Sequence, residues 1–202
     1  MPSTAPYGQT SSTIWGPCSV SHCPHRSTSS KDDTVLEISV HTLPRPLYRE
    51  FQHIFDERTL EPVSEKADQL ESLELLAIPT NQQAREDLVS VGDHVEQEKD
   101  RLLNTFMLFA RDFCARVRNA GYWCDYIDPC SGLPMMTHNC NKVYSEVDGM
   151  ECCLGYKSYN AGFCKILTHP KWGSSVYPAT IFARAPRSVI VDIVRSYPLA
   201  ME

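Results

Sequence analysis

The chain has 202 residues, a formal net charge of −6 and a pI of about 5.6, which suits one domain with a tail. Nucleic acids and anionic membranes select basic surfaces, so this acidic balance argues against both as partners. No apolar run approaches the roughly 18 residues that span a bilayer, so a soluble protein is expected. In the absence of a secretory signal, the nine cysteines are expected to be free thiols in a reducing compartment.

Residues 1–33 are rich in Ser, Thr, Pro and His and poor in aliphatic side chains, which predicts a disordered tail. Cys18, Cys23 and His25 lie in this tail, but a structural zinc site needs a fourth ligand, so zinc is the weaker interpretation. The tail has no acidic residue before Asp32, as in a transit peptide, yet it lacks the repeated arginines of one. A cytosolic location is therefore favoured, and mitochondrial import stays open.

The ordered domain is predicted to occupy 34–202. Apolar residues fall on one face of 34–41, which predicts a half-buried strand. Pro46 then suits the start of an amphipathic helix. A second strand is predicted at 72–79, ended by Pro79.

The clearest helix is predicted from about Gln97 to Ala120, because Phe106, Phe109 and Phe113 recur at helical spacing. Gly121 is placed to cap its C-terminus. The segment that follows alternates aromatic and polar residues, which predicts a strand.

Two more strands and a final helix complete the predicted domain. Pro178 places its strand at an edge or a bulge, because proline cannot donate to a strand ladder. Strands joined by loops, with helices between them, indicate an α+β domain with a mostly antiparallel sheet flanked by helices. The strands are predicted at 122–127, 163–169 and 176–183, and the helix at 187–195.

Sequence motifs of enzymes are missing from the chain. It has no glycine-rich phosphate loop, no GxSxG or HExxH motif and no CxxC pair. A cysteine–histidine nucleophile pair stays open, because such partners lie far apart in sequence. His138, Cys140 and Cys152 could meet in a cluster, but packing of buried thiols is the favoured interpretation.

Cys164 is the cysteine with the most suggestive surroundings. It follows Ala161-Gly162 and begins a predicted strand, and a thiol beside glycine at a strand's end can be reachable by a ligand. Lys165 is adjacent, but strand alternation points its side chain to the opposite face. The alternative is a half-buried core cysteine, which composition alone favours.

Residues 121–133 read GYWCDYIDPCSGL and resemble the segment GYWADFIDPSSGL of the CblD family, the methylmalonic aciduria and homocystinuria type D proteins. The similarity covers roughly 34–195. It continues through Leu154-Gly155-Tyr156, Gly162-Phe163-Cys164-Lys165, His169, Trp172-Gly173 and Ile181-Phe182.

This resemblance implies a nitroreductase-like α+β fold without a working flavin site, and a protein that is not an enzyme. It implies a trafficking adaptor that binds a CblC-type cobalamin-processing protein and directs cobalamin to methionine synthase and methylmalonyl-CoA mutase. Cobalamin is then shared with the partner and not held stably by this chain alone, in the cytosol and also in mitochondria. The alternatives are a flavin-binding nitroreductase-like enzyme and a thiol-rich zinc-binding module.

The resemblance also implies a site. In the family, a cysteine of a Gly-Cys-Cys-Lys motif ligates cobalt, and here the first cysteine is replaced by Phe163. Cys164 is therefore the candidate for cofactor binding and for metal ligation, since thiolate is a soft ligand. On a regular strand Phe163 and Cys164 would point to opposite faces, so Cys164 takes over only if a turn at Gly162 re-aims it. Trp123 and Asp125 lie in the family-like segment, and strand packing is favoured for Trp123.

Overall fold

A computed structural model describes residues 18–21, 35–55, 73–138 and 140–197. Four helices and eight strands lie in these ranges. No described helix is long and apolar enough to cross a membrane. In chain order the elements are β1 Cys18–Ser21, β2 Val35–Ile38, β3 His41–Thr42, α1 Arg45–Ile54, β4 Glu74–Gln83, α2 Asp93–Asn119, β5 Trp123–Tyr126, α3 Glu146–Leu154, β6 Lys157–Ala161, β7 Cys164–Thr168, β8 Val176–Ala185 and α4 Arg187–Arg195.

Six strands form one sheet in the order β1-β2-β4-β8-β5, with β3 also paired to β4. Every described pairing is antiparallel. The predicted α+β class with an antiparallel sheet flanked by helices is therefore confirmed. The strands β6 and β7 form a separate two-stranded sheet.

Helices cover both faces of the six-stranded sheet, because successive side chains of its strands point to opposite sides. On one face α2 and α4 pack through Phe106, Phe109 and Ile190 against Ile181 of β8. On the other face α1 packs against Phe182, the next residue of β8. The sheet is thus the middle layer of the domain.

The predicted tail of 1–33 contains β1, which pairs with β2. The rest of that segment lies outside the described residues, so its predicted disorder stays a prediction. The zinc candidates Cys23 and His25 also lie outside the described residues.

The prediction that Pro79 ends its strand is wrong, and the prediction that Pro178 places its strand at an edge holds only locally. β4 continues through Pro79 to Gln83. Thr180 is the residue of β8 that lies opposite Pro79. Its N–H and C=O point away from β4, toward Glu146 and Ile127. No hydrogen bond between β4 and β8 therefore needs an N–H group from Pro79. Pro178 lies in an inner strand, but β5 pairs only with the later part of β8, so at Pro178 the strand has β4 alone beside it.

Three elements escaped the sequence analysis, and one began earlier than expected. The strands β1 and β6 and the helix α3 were not predicted. The long helix α2 begins at Asp93 rather than Gln97, with Asp93 and Glu96 in its first turn, where acids favour the helix dipole. Ser145 caps α3 by accepting from the Asp148 N–H at 3.3 Å.

Candidate functional site

Cys164 lies at the start of β7, next to the turn of the β6–β7 hairpin. Ala161 and Cys164 are paired across the hairpin, so Gly162 and Phe163 form a two-residue turn. Gly162 has φ +63°, a conformation that glycine adopts readily and that two-residue hairpin turns require. The predicted strand over 163–169 therefore begins one residue late, and Phe163 is part of the turn.

One face of the hairpin is fastened to α3. Lys165 Nζ lies 2.6 Å from Asp148 Oδ1 and 2.7 Å from Glu151 Oε2. Its hydrogen bond to Asp148 raises the pKa of Lys165. Two residues on, Leu167 packs against Met150 of α3 in a buried apolar cluster. Lys165 and Leu167 therefore mark the inner face of the hairpin.

Cys164 points the other way, because side chains alternate along a strand. The prediction that the side chains of Cys164 and Lys165 point to opposite faces of the strand is thus confirmed. The outer face carries the side chains of Cys164 and Ile166 and of their cross-strand partners Ala161 and Tyr159.

These four residues, with Phe163 at the turn, are called the hairpin face below. Phe163 is 111 % exposed and Tyr159 is 47 % exposed, while Cys164 is also exposed and Ile166 is half-buried. None of the five belongs to a buried apolar cluster of the described residues. The hairpin face is therefore an apolar surface that no described element covers, and exposed apolar patches of this kind commonly mark interaction sites.

As a metal ligand, Cys164 would act alone. No group of three or more His, Cys, Asp or Glu side chains that could hold a metal ion occurs in the described ranges. The hairpin face can supply one soft sulfur to a metal whose other ligands come from elsewhere, which fits a cofactor-bound ion better than a free one.

A cleft of about 720 Å³ lies elsewhere, between α1 and the β3–β4 edge. Phe51, Phe55, Gln52 and Glu74 are among its lining residues, and Cys164 is not. The thiol thus lies on an open surface, which suits contact with a large partner better than enclosure of a small ligand.

Cys130 is also exposed, but Cys140, Cys152 and Cys153 are less available as ligands than Cys164. Cys140 donates to the Ile54 carbonyl at 3.2 Å and packs against the cluster that contains Phe55, which agrees with the packing interpretation. Burial raises the pKa of Cys153 to about 12. Burial also raises the pKa of the exposed Cys152, with further increases from Asp148 and Glu151.

The family-like segment supports the fold and contributes nothing to the hairpin face. Trp123 packs edge-on against Phe55 and Phe51, with ring centroids 5.1 and 5.9 Å apart, so the packing interpretation is confirmed. Asp125 is fully buried and accepts from the Met136 N–H and the Thr137 hydroxyl. It therefore fixes the loop that follows β5.

Sequence analysis missed two polar groups that join separate elements of the fold. Glu146, the first residue of α3, accepts from the N–H and the hydroxyl of Thr180 at 3.0 and 2.6 Å. Glu146 is half-buried, and desolvation of its carboxyl raises its pKa to about 7. Ser145 before an acidic residue, with Gly155 after the last turn, is the capping signal that could have located this helix.

The second group joins β2 to the connection between β7 and β8. His169 Nδ1 accepts the backbone N–H groups of Lys171 and Trp172, which places the ring proton on Nε2. Nε2 then donates to the Glu37 carboxylate at 3.0 Å. The imidazole also stacks on Trp172 at 4.0 Å.

Comparison with known proteins places the chain in a family. The family model described as "Methylmalonic aciduria and homocystinuria type D protein" matches residues 18–194. The chain belongs to this family. The CblD resemblance stated from the sequence is therefore confirmed.

Individual CblD-family relatives are similar at moderate identity. The "Cobalamin trafficking protein CblD" of Rattus norvegicus is 30% identical over 150 residues, which are 74% of this chain and 47% of the relative. The Homo sapiens protein of that name is 29% identical with the same coverage. The Gallus gallus protein is 27% identical over 76% of this chain and 48% of its own length. The chain spans about half the length of the curated relatives it matches.

Proposed function

We propose that this CblD-family chain is a non-catalytic adaptor in intracellular cobalamin trafficking. In this role it binds a CblC-type cobalamin-processing protein and directs cobalamin toward methionine synthase and methylmalonyl-CoA mutase. Membership of a family whose relatives are named for cobalamin trafficking supports the role. The observation that carries it is the exposed thiol of Cys164 on an uncovered apolar hairpin face.

A single protein sulfur is the appropriate number of ligands for cobalt in a corrin. The corrin ring would already supply nitrogen ligands to the cobalt, so one protein ligand would be enough. A thiolate is soft and suits a polarisable metal centre. In this proposal Cys164 would supply that thiolate, and cobalamin would be held between this chain and its partner.

The rest of the hairpin face supplies the contact with the CblC-type partner. Phe163 and Tyr159 are the large apolar side chains of that face, and exposed aromatic residues are frequent anchors of protein interfaces. Ala161, directly opposite Cys164, is small and leaves the sulfur accessible.

Binding is tested by calorimetric titration of the chain into a CblC-type protein loaded with cobalamin. Phe163→Ala is expected to weaken binding about tenfold or more, because it removes an aromatic anchor. Val91→Ala is the matched control, since Val91 is 95 % exposed in the loop before α2 and should bind as wild type. Equal affinities for the two variants would contradict the assignment of the hairpin face, and no complex at all would contradict the adaptor role.

The finer fold and the location are part of the same proposal. The domain is proposed to be nitroreductase-like without a working flavin site, and to work in the cytosol and also in mitochondria. A colourless purified protein is expected, and a flavin absorption band would contradict it. Fractionation of cells that express the tagged chain tests the two compartments.

A further inference from the structure

Two thiols meet inside the domain, away from the hairpin face. Cys114 lies on the buried side of α2 and Cys124 in β5, and their sulfur atoms are 3.2 Å apart. Neither residue has exposed surface. Because α2 and β5 pack directly on each other, this pair spans two layers of the fold.

The backbone around the pair is held firmly. The Arg118 guanidinium donates twice to the Cys124 carbonyl, at 2.9 and 3.1 Å. The N–H of Tyr122 donates to the Val117 carbonyl and that of Gly121 to the Arg118 carbonyl, which fixes the turn between α2 and β5. The two sulfur atoms therefore keep their proximity in the folded state.

We propose that Cys114 and Cys124 form a thiol-oxidation site that closes an intramolecular disulfide between α2 and β5. A disulfide needs the sulfur atoms at about 2.05 Å, so they must approach by about 1 Å from their 3.2 Å separation. The inference is independent of the proposed function.

The reaction uses a small disulfide, such as oxidised glutathione, as the oxidant. One cysteine thiolate attacks this disulfide and releases one small thiol. The second cysteine thiolate attacks the mixed disulfide, forms the Cys114–Cys124 bond and releases the other small thiol. The two cysteines lose two protons and two electrons in total, and the small disulfide gains them.

Burial determines when this reaction occurs. Removal from water raises the pKa of the Cys124 thiol, and the fold excludes the oxidant from both sulfur atoms. Oxidation therefore proceeds through states in which α2 has separated from β5, during folding or partial unfolding. Once the packing closes again, the same burial protects the disulfide from reductants.

The test exposes the full chain to oxidised glutathione in urea at the onset of unfolding and then removes the urea. Acid quenching, alkylation and non-reducing tryptic digestion follow. Trypsin cleaves after Arg116 and Arg118 and so separates Cys114 from the peptide 119–142, which holds Cys124, Cys130 and Cys140. Chymotrypsin then cleaves after Tyr126 and separates Cys124 from the other two, so the disulfide appears as a linked pair of peptides that contain only Cys114 and Cys124. The oxidised protein should melt roughly 5 °C or more above the reduced protein, because the bond closes a loop in the unfolded chain.

The outcomes are decisive without a variant, because oxidised and reduced wild type are compared directly. The linked pair, with resistance to reductant until the protein is unfolded, supports the proposal. Alkylation of both cysteines, or disulfides that join other cysteines instead, would overturn it. Cys124→Ala should abolish the linked pair, and Cys130→Ala, which removes an exposed thiol, should retain it.

Discussion

Two phenylalanines of this chain illustrate how position decides the role of a residue. Phe55 is 1 % exposed and lies 4.7 Å from Phe51 and 5.1 Å from Trp123, measured between ring centroids. Phe163 extends fully into solvent from the hairpin turn. The first side chain stabilises the fold, and the second is available to a partner.

Alanine substitutions should separate these two roles. Phe55→Ala is expected to lower the free energy of unfolding by about 3–5 kcal/mol, because it leaves a cavity among packed rings. Phe163→Ala is expected to change it by less than about 0.5 kcal/mol, as for other surface substitutions. Urea unfolding measures both, and a large loss of stability in Phe163→Ala would show that the hairpin face is not free.

Gly149 gives a second prediction at this scale, because the phenol of Tyr144 occupies the space beside it. A Cβ atom at Gly149 would lie 1.8 Å from the Tyr144 hydroxyl oxygen. Gly149→Ala should therefore destabilise the protein by about 1–3 kcal/mol through overpacking, although alanine normally favours a helix. Ala115→Gly, at an exposed position of α2, is the control for ordinary helix propensity and should cost about 1 kcal/mol.

At the scale of elements, α3 docks where β5 stops. Ile127 makes the last backbone hydrogen bond of that edge, to the Thr180 carbonyl at 3.0 Å. Beyond it the Thr180 N–H has no strand beside it, and the Glu146 carboxylate of α3 accepts it instead. An acidic side chain thus completes the sheet edge and holds α3, which in turn holds the hairpin.

The raised pKa of Glu146 makes this docking dependent on pH. The folded state binds the proton with a pKa of about 7, mainly because burial disfavours the charged form, against an ordinary value of 4.5. The stabilisation that comes from the raised pKa of Glu146 is complete when the pH is below the ordinary pKa of 4.5, and it is lost as the pH rises to about 7.

Replacing the Glu146 carboxyl should remove this slope of the free energy of unfolding against pH. Wild type is expected to lose more of its free energy of unfolding between pH 5 and pH 8 than Glu146→Gln, whose amide does not titrate. Glu96→Gln, at an exposed ion pair with Lys99, should retain the wild-type slope. Equal slopes for all three proteins in urea unfolding would show that Glu146 does not carry this dependence.

At the scale of the whole molecule, the sequence predicted the parts whose burial is periodic. Phe106, Phe109 and Phe113 revealed α2, and the apolar stretch of β8 revealed a strand, although not that the strand lies inside the sheet. In α3, by contrast, only Gly149 and Met150 are buried, so no apolar stripe indicates a helix. The polar strand β6 has no buried residue, so no alternation of apolar and polar residues indicates it. Its pairing with β7 is set by the two-residue turn at Gly162 and Phe163.

The candidate site was predicted in part. The sequence named Cys164 and the opposite direction of Lys165, because alternation is a local property. It did not show that the whole outer face is uncovered, because exposure depends on α3, which lies on the other side of the hairpin. The fold thus separates a packed domain from a projecting hairpin face. Substitutions on the hairpin face should alter binding without altering stability.

The most direct test of the proposed role is a titration of the chain into a CblC-type protein loaded with cob(II)alamin, followed by visible absorption and electron paramagnetic resonance. Wild type should form a complex whose cobalt spectrum shows ligation by a thiolate. Cys164→Ser should lose that spectral change, and Cys152→Ser, which removes another exposed thiol, should retain it. A complex with an unchanged cobalt spectrum for wild type would contradict ligation by Cys164.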